Sequence, residues 1–281
     1  MKKALSAIVG ILFLATIPLT YIAFHHHNKN THFESQNSTT DQIKDGIKLY
    51  AKQSVDTYTI NDYITLSKIN QITNHIPKKT LDALAQKYEN DPYKRLIDKN
   101  TFSQDITFTL QKDPEKKLDY YVVANVPISI HLYDSVFLKA LYCDKTGYTD
   151  EDFEALDHLD HKGSDYLAVS YLYALLLLQE NQCYDPKTLK AAIDESAQRL
   201  ARTEDADTSF SDLYAERIVV LYWSGYGNLV QKAWIEKIRE SYKPGVGWVG
   251  SSKIQTTNPP NGFSLLALLY YQENKPHQEL Y

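Results

Sequence analysis

The chain has 281 residues, with 30 basic and 35 acidic side chains, 43% hydrophobic residues, 10 Gly, 10 Pro and 2 Cys. This composition excludes collagen-like, low-complexity and disulfide-scaffold proteins, which need far more Gly, Pro or Cys. Few Gly and Pro also leave few turn residues for a β-sandwich or barrel, so a mainly α fold is expected. Because no basic stripe with interleaved aromatic residues is present, no nucleic-acid partner is expected.

The first element in chain order is an uncharged stretch, Ala4 to Phe24, that follows Lys2 and Lys3. Its length is enough to cross a hydrocarbon core of roughly 30 Å, which predicts a transmembrane anchor in residues 1–24 and contact with the lipid bilayer. A cleaved signal peptide is the alternative, but Tyr21 stands where the cleavage site prefers a small residue. The lysines before the stretch predict a single-pass membrane protein with a cytoplasmic N-terminus and an extracytoplasmic main domain.

Residues 25–41 follow the anchor and are polar and rich in Ser, Thr and Asn, which indicates a juxtamembrane linker. They include His25, His26, His27 and His32, which could chelate a metal ion in principle. Nothing in the sequence orders these imidazoles, so a solvated tether is expected and no metal.

The extracytoplasmic part of the chain has a net charge of −7 once Lys2 and Lys3 are set aside, because 28 basic and 35 acidic residues remain. It also contains both cysteines, Cys143 and Cys183, each placed after a predicted helix end. An oxidising compartment would allow a disulfide between them. Two inert buried thiols are the alternative.

Residues 42–130 are expected to form a helical subregion with one β-hairpin. The predicted helices run from Ile43 to Val55, from just after Asn61, and from an N-cap at Thr80. Apolar residues then alternate with polar ones over 106–111, and a β-prone run follows at 120–123, which predicts the hairpin. The hairpin either pads the helical body or forms a flap over a site.

Residues 131–281 are expected to form an α/α-hairpin domain from two alternating kinds of helix. Helices apolar on nearly every side must be buried, and they are predicted at 133–142, 166–178, 213–223 and 263–271. Amphipathic helices for the outside are predicted at 150–159, 186–202 and 229–242. The predicted caps of the outer helices are Thr149 with Asp152, Asp185 before Pro186, and Asn228. This recurring order predicts stacked helical hairpins.

The segment from Lys243 to Trp248 reads Lys-Pro-Gly-Val-Gly-Trp and lies between an outer and an inner predicted helix. With these helices it resembles the Gly-rich Trp turn of α/α-toroid proteins of the prenyltransferase and terpene-cyclase repeat type. The resemblance covers at best residues 130–275 and implies that Gly245, Gly247 and Trp248 pack an aromatic side chain between hairpins. It implies a fold and no chemistry, because the Asp-x-Asp-Asp run of the cyclases and the Cys-His zinc ligands of the prenyltransferases are absent.

Parallel inner helices would gather their N-termini at one end of the domain, where helix dipoles favour an anionic or polar ligand. The candidate catalytic residues there are the carboxylates Asp134, Asp165, Asp212 and Glu216. The candidate ligand-binding residues are His131, Asn261 and Trp248. The alternative is structural: Asp and Ser are good N-caps, and Glu216 next to Arg217 fits an ion pair.

The densest group of metal-ligating residues is Asp157, His158, Asp160 and His161, and this mixture suits zinc. Its position at the polar end of an outer helix favours solvated side chains instead, so no metal site is expected. The 22 tyrosines, together with the three tryptophans, would suit stacking on sugars, or they fill helix interfaces.

These patterns predict a membrane-anchored helical domain that binds a ligand or a protein partner without catalysis and without a cofactor. The alternative is an extracytoplasmic hydrolase or lyase that acts on a glycan or a lipid-linked substrate. Its acidic residues would lie at the N-termini of the inner helices, where environments can raise one carboxyl pKa and lower another.

Overall fold

A computed structural model describes residues 39–100, 106–113, 118–126, 130, 132–160, 165–202, 210–249 and 261–273. The predicted anchor, Ala4 to Phe24, and nearly all of the predicted linker lie outside these ranges. Within them, no helix combines the length and the apolar character needed to cross a bilayer.

The described chain is mainly α-helical with a small β-hairpin, as the sequence predicts. Its N-terminal part contains α1 (39–51), α2 (Ile60–Thr73), α3 (Lys78–Lys87), a 3-10 turn (Pro92–Leu96), β1 (Thr107–Asp113) and β2 (Leu118–Ala124). Its C-terminal part contains α4 (Leu132–Leu141), α5 (Cys143–Thr146), α6 (Asp150–Asp160), α7 (Asp165–Glu180), α8 (Pro186–Arg202), α9 (Asp212–Trp223), α10 (Lys232–Glu240), β3 (Tyr242–Lys243), β4 (Gly247–Trp248) and α11 (Asn261–Glu273).

Two outer helices begin with the predicted capping residues. The amide of Asp152 donates to Oγ1 of Thr149 at 3.2 Å, and the Asp152 carboxylate accepts from the amide of Thr149 at 2.8 Å. This reciprocal pair is a capping box at the start of α6. The carboxylate of Asp185 accepts from the amide of Thr188 at 2.8 Å and caps α8.

Two other predicted caps are wrong. α3 begins at Lys78, because the carbonyl of Pro77 accepts from the amide of Thr80 at 2.9 Å, and Thr80 is therefore buried inside the helix. Proline fixes its own φ in the range a helix needs and so favours a helix start. Asn228 lies in a 3-10 turn, and α10 begins only at Lys232.

The buried helices follow one another around a common centre. α4 contacts α7, α7 contacts α9, α9 contacts α11, and α11 contacts α2. The 3-10 turn contacts both α2 and α4, so the succession closes on itself. α6 and α8 pack against α7, α10 packs against α11, and the hairpin packs against α4 and α6.

One hydrophobic core joins the two regions that the sequence separates at residue 130. Ile47 of α1 and Leu66 of α2 belong to the same buried cluster as Leu268 of α11. The fit is close, since a Cβ atom added to Gly262 would lie 2.7 Å from Cγ2 of Thr65. The N-terminal helices therefore complete the core of the C-terminal ones.

β3 and β4 pair around the Gly-rich turn. Trp248 at its end is fully buried, and its ring lies 4.9 Å from that of Tyr242. Gly46 of α1 faces the indole so closely that an added Cβ would lie 2.6 Å from it. Gly245 and Gly247 have φ values of 75° and 95°, where a side chain is strained. The turn thus packs an aromatic ring against α1 and Tyr242.

Cys143 and Cys183 form a disulfide with a Cα to Cα distance of 5.9 Å. The bond joins the first residue of α5 to the segment that follows α7. The sequence left two free thiols open as an alternative, and that alternative is wrong.

Tyrosine hydroxyl groups tie neighbouring elements to one another. Several donate to aspartates of other elements: Tyr121 to Asp152, Tyr171 to Asp157, Tyr184 to Asp150, Tyr226 to Asp194 and Tyr242 to Asp45. A hydrogen bond to a charged acceptor is stronger than a neutral one. At least five of the 22 tyrosines therefore stabilise interfaces, which is one of the two uses that the sequence allows.

Candidate functional site

A cavity of about 300 Å³ lies at the centre of the buried helices. Its wall includes six aromatic side chains: Tyr93, Phe137, Tyr166, Tyr173, Trp223 and Phe263. It also includes six polar ones: Asn61, Thr65, Lys68, Asp134, Ser170 and Glu216. None of the described residues of β1 and β2 lines the wall, and β2 packs against α4 and α6.

The N-terminal ends of the inner helices face this cavity. Asn61, Asp134, Tyr166 and Phe263 are each the second or third residue of α2, α4, α7 and α11. Glu216 follows in the second turn of α9. The expected gathering of N-termini at one end of the domain is therefore present, and α2 adds a member that the sequence did not predict.

Glu216 is the most perturbed acid in the wall. Burial, and then the charge of Asp212, raise the pKa of its carboxyl group to about 7. Within the described part of the chain no hydrogen bond or ion pair reaches this carboxyl group. The guanidinium of Arg217 lies instead over the ring of Trp234, 4.5 Å from its centroid. The predicted structural ion pair at Glu216 is thus not found among the described residues.

Asp212 is the first residue of α9, and it does not cap its helix. Oγ of Ser211 accepts from the amide of Tyr214 at 3.3 Å and is the cap. The explanation of Asp212 as an N-cap is therefore wrong. The residue is solvent-exposed, and partial desolvation of its carboxyl group together with the charge of Asp62 raises its pKa to about 6. Its charge in turn acts on Glu216.

Tyr166 stands beside two carboxylates. Its side chain is 48% exposed although it lines the wall, so it forms part of the rim. Burial of part of the ring raises the pKa of its hydroxyl group, and the charges of Asp134 and Glu216 raise it further. Asp134 and Glu216 are therefore both close to Tyr166, and two of the four predicted carboxylates face one cavity.

Several wall residues were not predicted from the sequence. Lys68 is 2% exposed and lines the cavity from α2. The hydroxyl group of Tyr93 is buried and has no hydrogen-bond partner among the described residues. Lys68 had only a weak signal in the sequence, because the segment from Ile64 to Ile69 mixes apolar residues with Thr, Ser and Lys. Tyr93 had none, since its turn has no periodic pattern.

The remaining predicted residues are placed as follows. Asp165 and Asn261 are the first residues of α7 and α11, and their side chains lie outside the described part of the structure. His131 also lies outside the described residues. Trp248 is described, and it is buried in its turn, apart from the residues that line the cavity.

Two of the four possible zinc ligands at the end of α6 have other contacts, and the side chain of Asp160 lies outside the described part of the structure. Asp157 accepts a hydrogen bond from Tyr171 at 3.0 Å, and Nδ1 of His158 lies 3.5 Å from the carboxylate of Asp119. His161 lies outside the described residues. In the ranges that the structure describes, no three metal-ligating side chains come together.

The wall can hold a small ligand that combines apolar faces with hydrogen-bonding edges. A volume of about 300 Å³ is at the lower end of the range typical of small-molecule sites. No protein-family model, curated protein or solved structure matches this chain.

Proposed function

We propose that this chain is a membrane-anchored, extracytoplasmic protein that binds a small ligand in its central cavity. The observation that carries the proposal is the composition of the wall, in which aromatic rings and polar side chains from all five inner helices converge. Such a mixture is typical of sites that bury a ligand and fix its orientation. Binding needs no further residue, so catalysis is not part of the proposal.

The fold proposed for this protein is an α/α-toroid-like ring. The closed succession of α4, α7, α9, α11, α2 and the 3-10 turn supports it. The resemblance to prenyltransferase and terpene-cyclase repeats is proposed for the fold alone. Their zinc chemistry has no counterpart at the cysteines, because both form the disulfide.

The proposed location rests on the sequence of residues 1–24 and on the disulfide. A disulfide persists in oxidising compartments, so the bond between Cys143 and Cys183 supports an extracytoplasmic domain. We expect the expressed chain to sediment with membranes and to keep its N-terminal residues on sequencing. A mature chain that begins beyond residue 24 would contradict the anchor and support a cleaved signal peptide.

Ligand binding is tested by filling the cavity. Ser170 lines the wall, so Ser170→Trp should occupy much of the space, whereas Lys190→Trp places the same side chain on the exposed face of α8. We expect small compounds detected by ligand-observed NMR to bind the wild type and Lys190→Trp and not Ser170→Trp. As a control, a cooperative thermal unfolding transition is required of both variants, because it establishes that they fold. Equal binding to both would contradict a site in the cavity.

Glu216 supports a second candidate function. A buried carboxyl group with a pKa of about 7 can act as a general acid at neutral pH, and Asp134 supplies a second carboxylate in the same wall. The enzyme would hydrolyse or cleave a glycan or a lipid-linked substrate. Glu216→Gln and Asp134→Asn should then abolish the formation of product, which mass spectrometry measures, while the variants still bind the substrate. Absence of turnover in the wild type with every glycan tested would leave the binding function alone.

A further inference from the structure

The charges in the wall oppose ligands of either sign. Lys68 is a buried cation, whereas Asp134 and Glu216 are acids of the same wall. An ammonium ligand would approach Lys68, and an anionic ligand would approach the two carboxyl groups. Because the wall carries charges of both signs, an ion of either sign would meet a like charge as well as an opposite one, which reduces its net gain. The wall therefore favours an uncharged ligand.

The helix N-termini do not change this balance. Their dipoles alone would attract an anion. However, the first turns of α2, α4 and α9 carry Asp62, Asp134 and Asp212. These carboxylates offset the positive ends of the helix dipoles. The N-termini therefore do not favour an anionic ligand here.

The wall also fits the shape of one class of neutral ligand. A pyranose ring has two faces of C–H groups and an edge of hydroxyl groups. Tyr166 offers an aromatic surface at the rim. Asp134 and Glu216 are close enough for their charges to act on its hydroxyl group. Aromatic faces next to hydrogen-bonding groups match the faces and the edge of such a ring.

We infer that the ligand is a neutral sugar unit, which stacks on Tyr166 and places its hydroxyl groups against Glu216, Asp134 and Lys68. The inference rests on the proposed ligand-binding function and names its ligand class. The volume of about 300 Å³ suits a short saccharide, not a long polysaccharide segment.

Glu216 gives the inference a pH dependence. With a pKa of about 7, its carboxyl group is largely protonated at pH 6 and then both donates and accepts a hydrogen bond, whereas the ionised form at pH 8 only accepts. Among the described residues, the charge of Asp212 acts on Glu216, and Asp62 acts on Asp212. The other charged or titratable side chains of the same wall are Lys68, Tyr93, Asp134, Tyr166 and Tyr173. Asp212 titrates in the same range, so its contribution must be separated.

The test titrates the full-length chain with cellobiose, maltose and chitobiose in a polyoxyethylene detergent, which has no sugar headgroup. Fluorescence of Trp223 in the wall and calorimetry report binding. We expect at least one disaccharide to bind, glucuronate and glucosamine to bind more weakly, and Tyr166→Ala to weaken binding about tenfold. Tyr166→Phe, which keeps the ring, should recover most of the affinity, and Val122→Ala on the exposed hairpin should change nothing.

The pH series separates Glu216 from Asp212. Wild-type affinity should fall several-fold between pH 6 and pH 8, and Glu216→Gln should remove this dependence, because the amide donates at both values. Asp212→Asn should keep the dependence but move it to lower pH, since the charge that raises the pKa of Glu216 is gone. A dependence that survives Glu216→Gln would overturn the role of Glu216.

Failure of the sugar inference is distinguishable from failure of the binding function. If every disaccharide has a Kd above about 10 mM while other small compounds bind the wild type and not Ser170→Trp, the neutral-sugar inference is wrong and the cavity still binds a ligand. If Tyr166→Ala binds sugars as the wild type does, the sugar lies elsewhere and the inference is likewise wrong.

Discussion

Glu216 and Arg217 are adjacent in α9 but meet different surroundings. Arg217 is 5% exposed, and its guanidinium lies over the rings of Trp234 and Tyr214. Aromatic faces stabilise such a cation. Glu216 faces the cavity and receives the charge of Asp212, so it keeps its proton to a higher pH. One residue in the pair is therefore structural and the other belongs to the site.

Glu216→Gln should make stability less dependent on pH. The pKa of Glu216 rises from 4.5 in the unfolded chain to about 7 in the fold, so between these values the folded state holds a proton that the unfolded state has released. Stability therefore falls as pH rises through this window, by at most about 3 kcal/mol. Urea unfolding at pH 5 and pH 8 should show that the free energy of unfolding of the variant, relative to that of the wild type, is higher at pH 8 than at pH 5. The control variant Glu195→Gln changes an exposed residue, and its free energy of unfolding should change between pH 5 and pH 8 by the same amount as that of the wild type.

Two ion pairs with different burial give a second prediction. Arg95 is fully buried and pairs with Asp144 at 2.5 Å, whereas Lys78 and Asp82 pair on the exposed face of α3. Asp144→Ala should cost about 3 to 5 kcal/mol because it leaves a buried charge without its partner. Asp82→Ala should cost less than about 1 kcal/mol. Chemical denaturation of the two variants measures the difference, and equal losses would contradict it.

At the scale of elements, close backbone contacts decide how α1 meets the Gly-rich turn. Gly46 sits in a helix, where glycine is a poor choice by intrinsic propensity. Glycine is needed here because the indole of Trp248 occupies the space that a side chain at position 46 would fill. The turn and the helix therefore depend on each other.

Gly46→Ala should destabilise the protein although alanine favours the helix. The added Cβ would lie 2.6 Å from the ring of Trp248, so the ring or α1 must shift, at a cost of about 1 to 3 kcal/mol. Lys48→Ala, two residues on and exposed, should change stability by less than about 0.5 kcal/mol. The midpoint of thermal unfolding compares them. A more stable Gly46→Ala variant would show that helix propensity outweighs the contact.

At the scale of the molecule, the succession of contacting inner helices includes helices from both predicted regions. α2 contacts α11, and the 3-10 turn closes the gap between α2 and α4. The cavity is lined from both sides of residue 130, by Asn61 and Lys68 as well as by Asp134 and Glu216. The core and the site thus have no boundary at this position.

A fragment of residues 131–281 should fail to fold by itself. It would lack α1 and α2 and would expose apolar residues of α11 such as Leu265 and Leu268, which are fully buried in the whole chain. Near-UV circular dichroism should show no fixed tertiary packing, and urea should unfold the fragment without a cooperative transition. Residues 39–281 are the control and should unfold in one step. A cooperative transition of the short fragment would establish an independent domain.

Local patterns account for the parts of the fold that were predicted correctly. All-round apolar segments identify α7, α9 and α11 as buried, and polar and apolar alternation identifies the hairpin. Capping residues mark α6 and α8. The errors at Thr80 and Asn228 arise where a proline or a turn competes with an equally suitable cap within a few residues. Such competition is decided by small energies that a pattern does not contain.

The sequence by itself determined the helical class, the inner and outer order and the presence of acids at inner-helix starts, because these follow from local periodicity and composition. Only the tertiary structure decided which of these acids share a space. Asp134 and Glu216 line one wall in the folded chain, together with Lys68 and Tyr93 from an earlier part of the sequence. Trp248, by contrast, is buried in the core and does not line this wall. The physical reason is that burial and proximity depend on how helices distant in sequence pack, and the pKa of Glu216 follows from that packing.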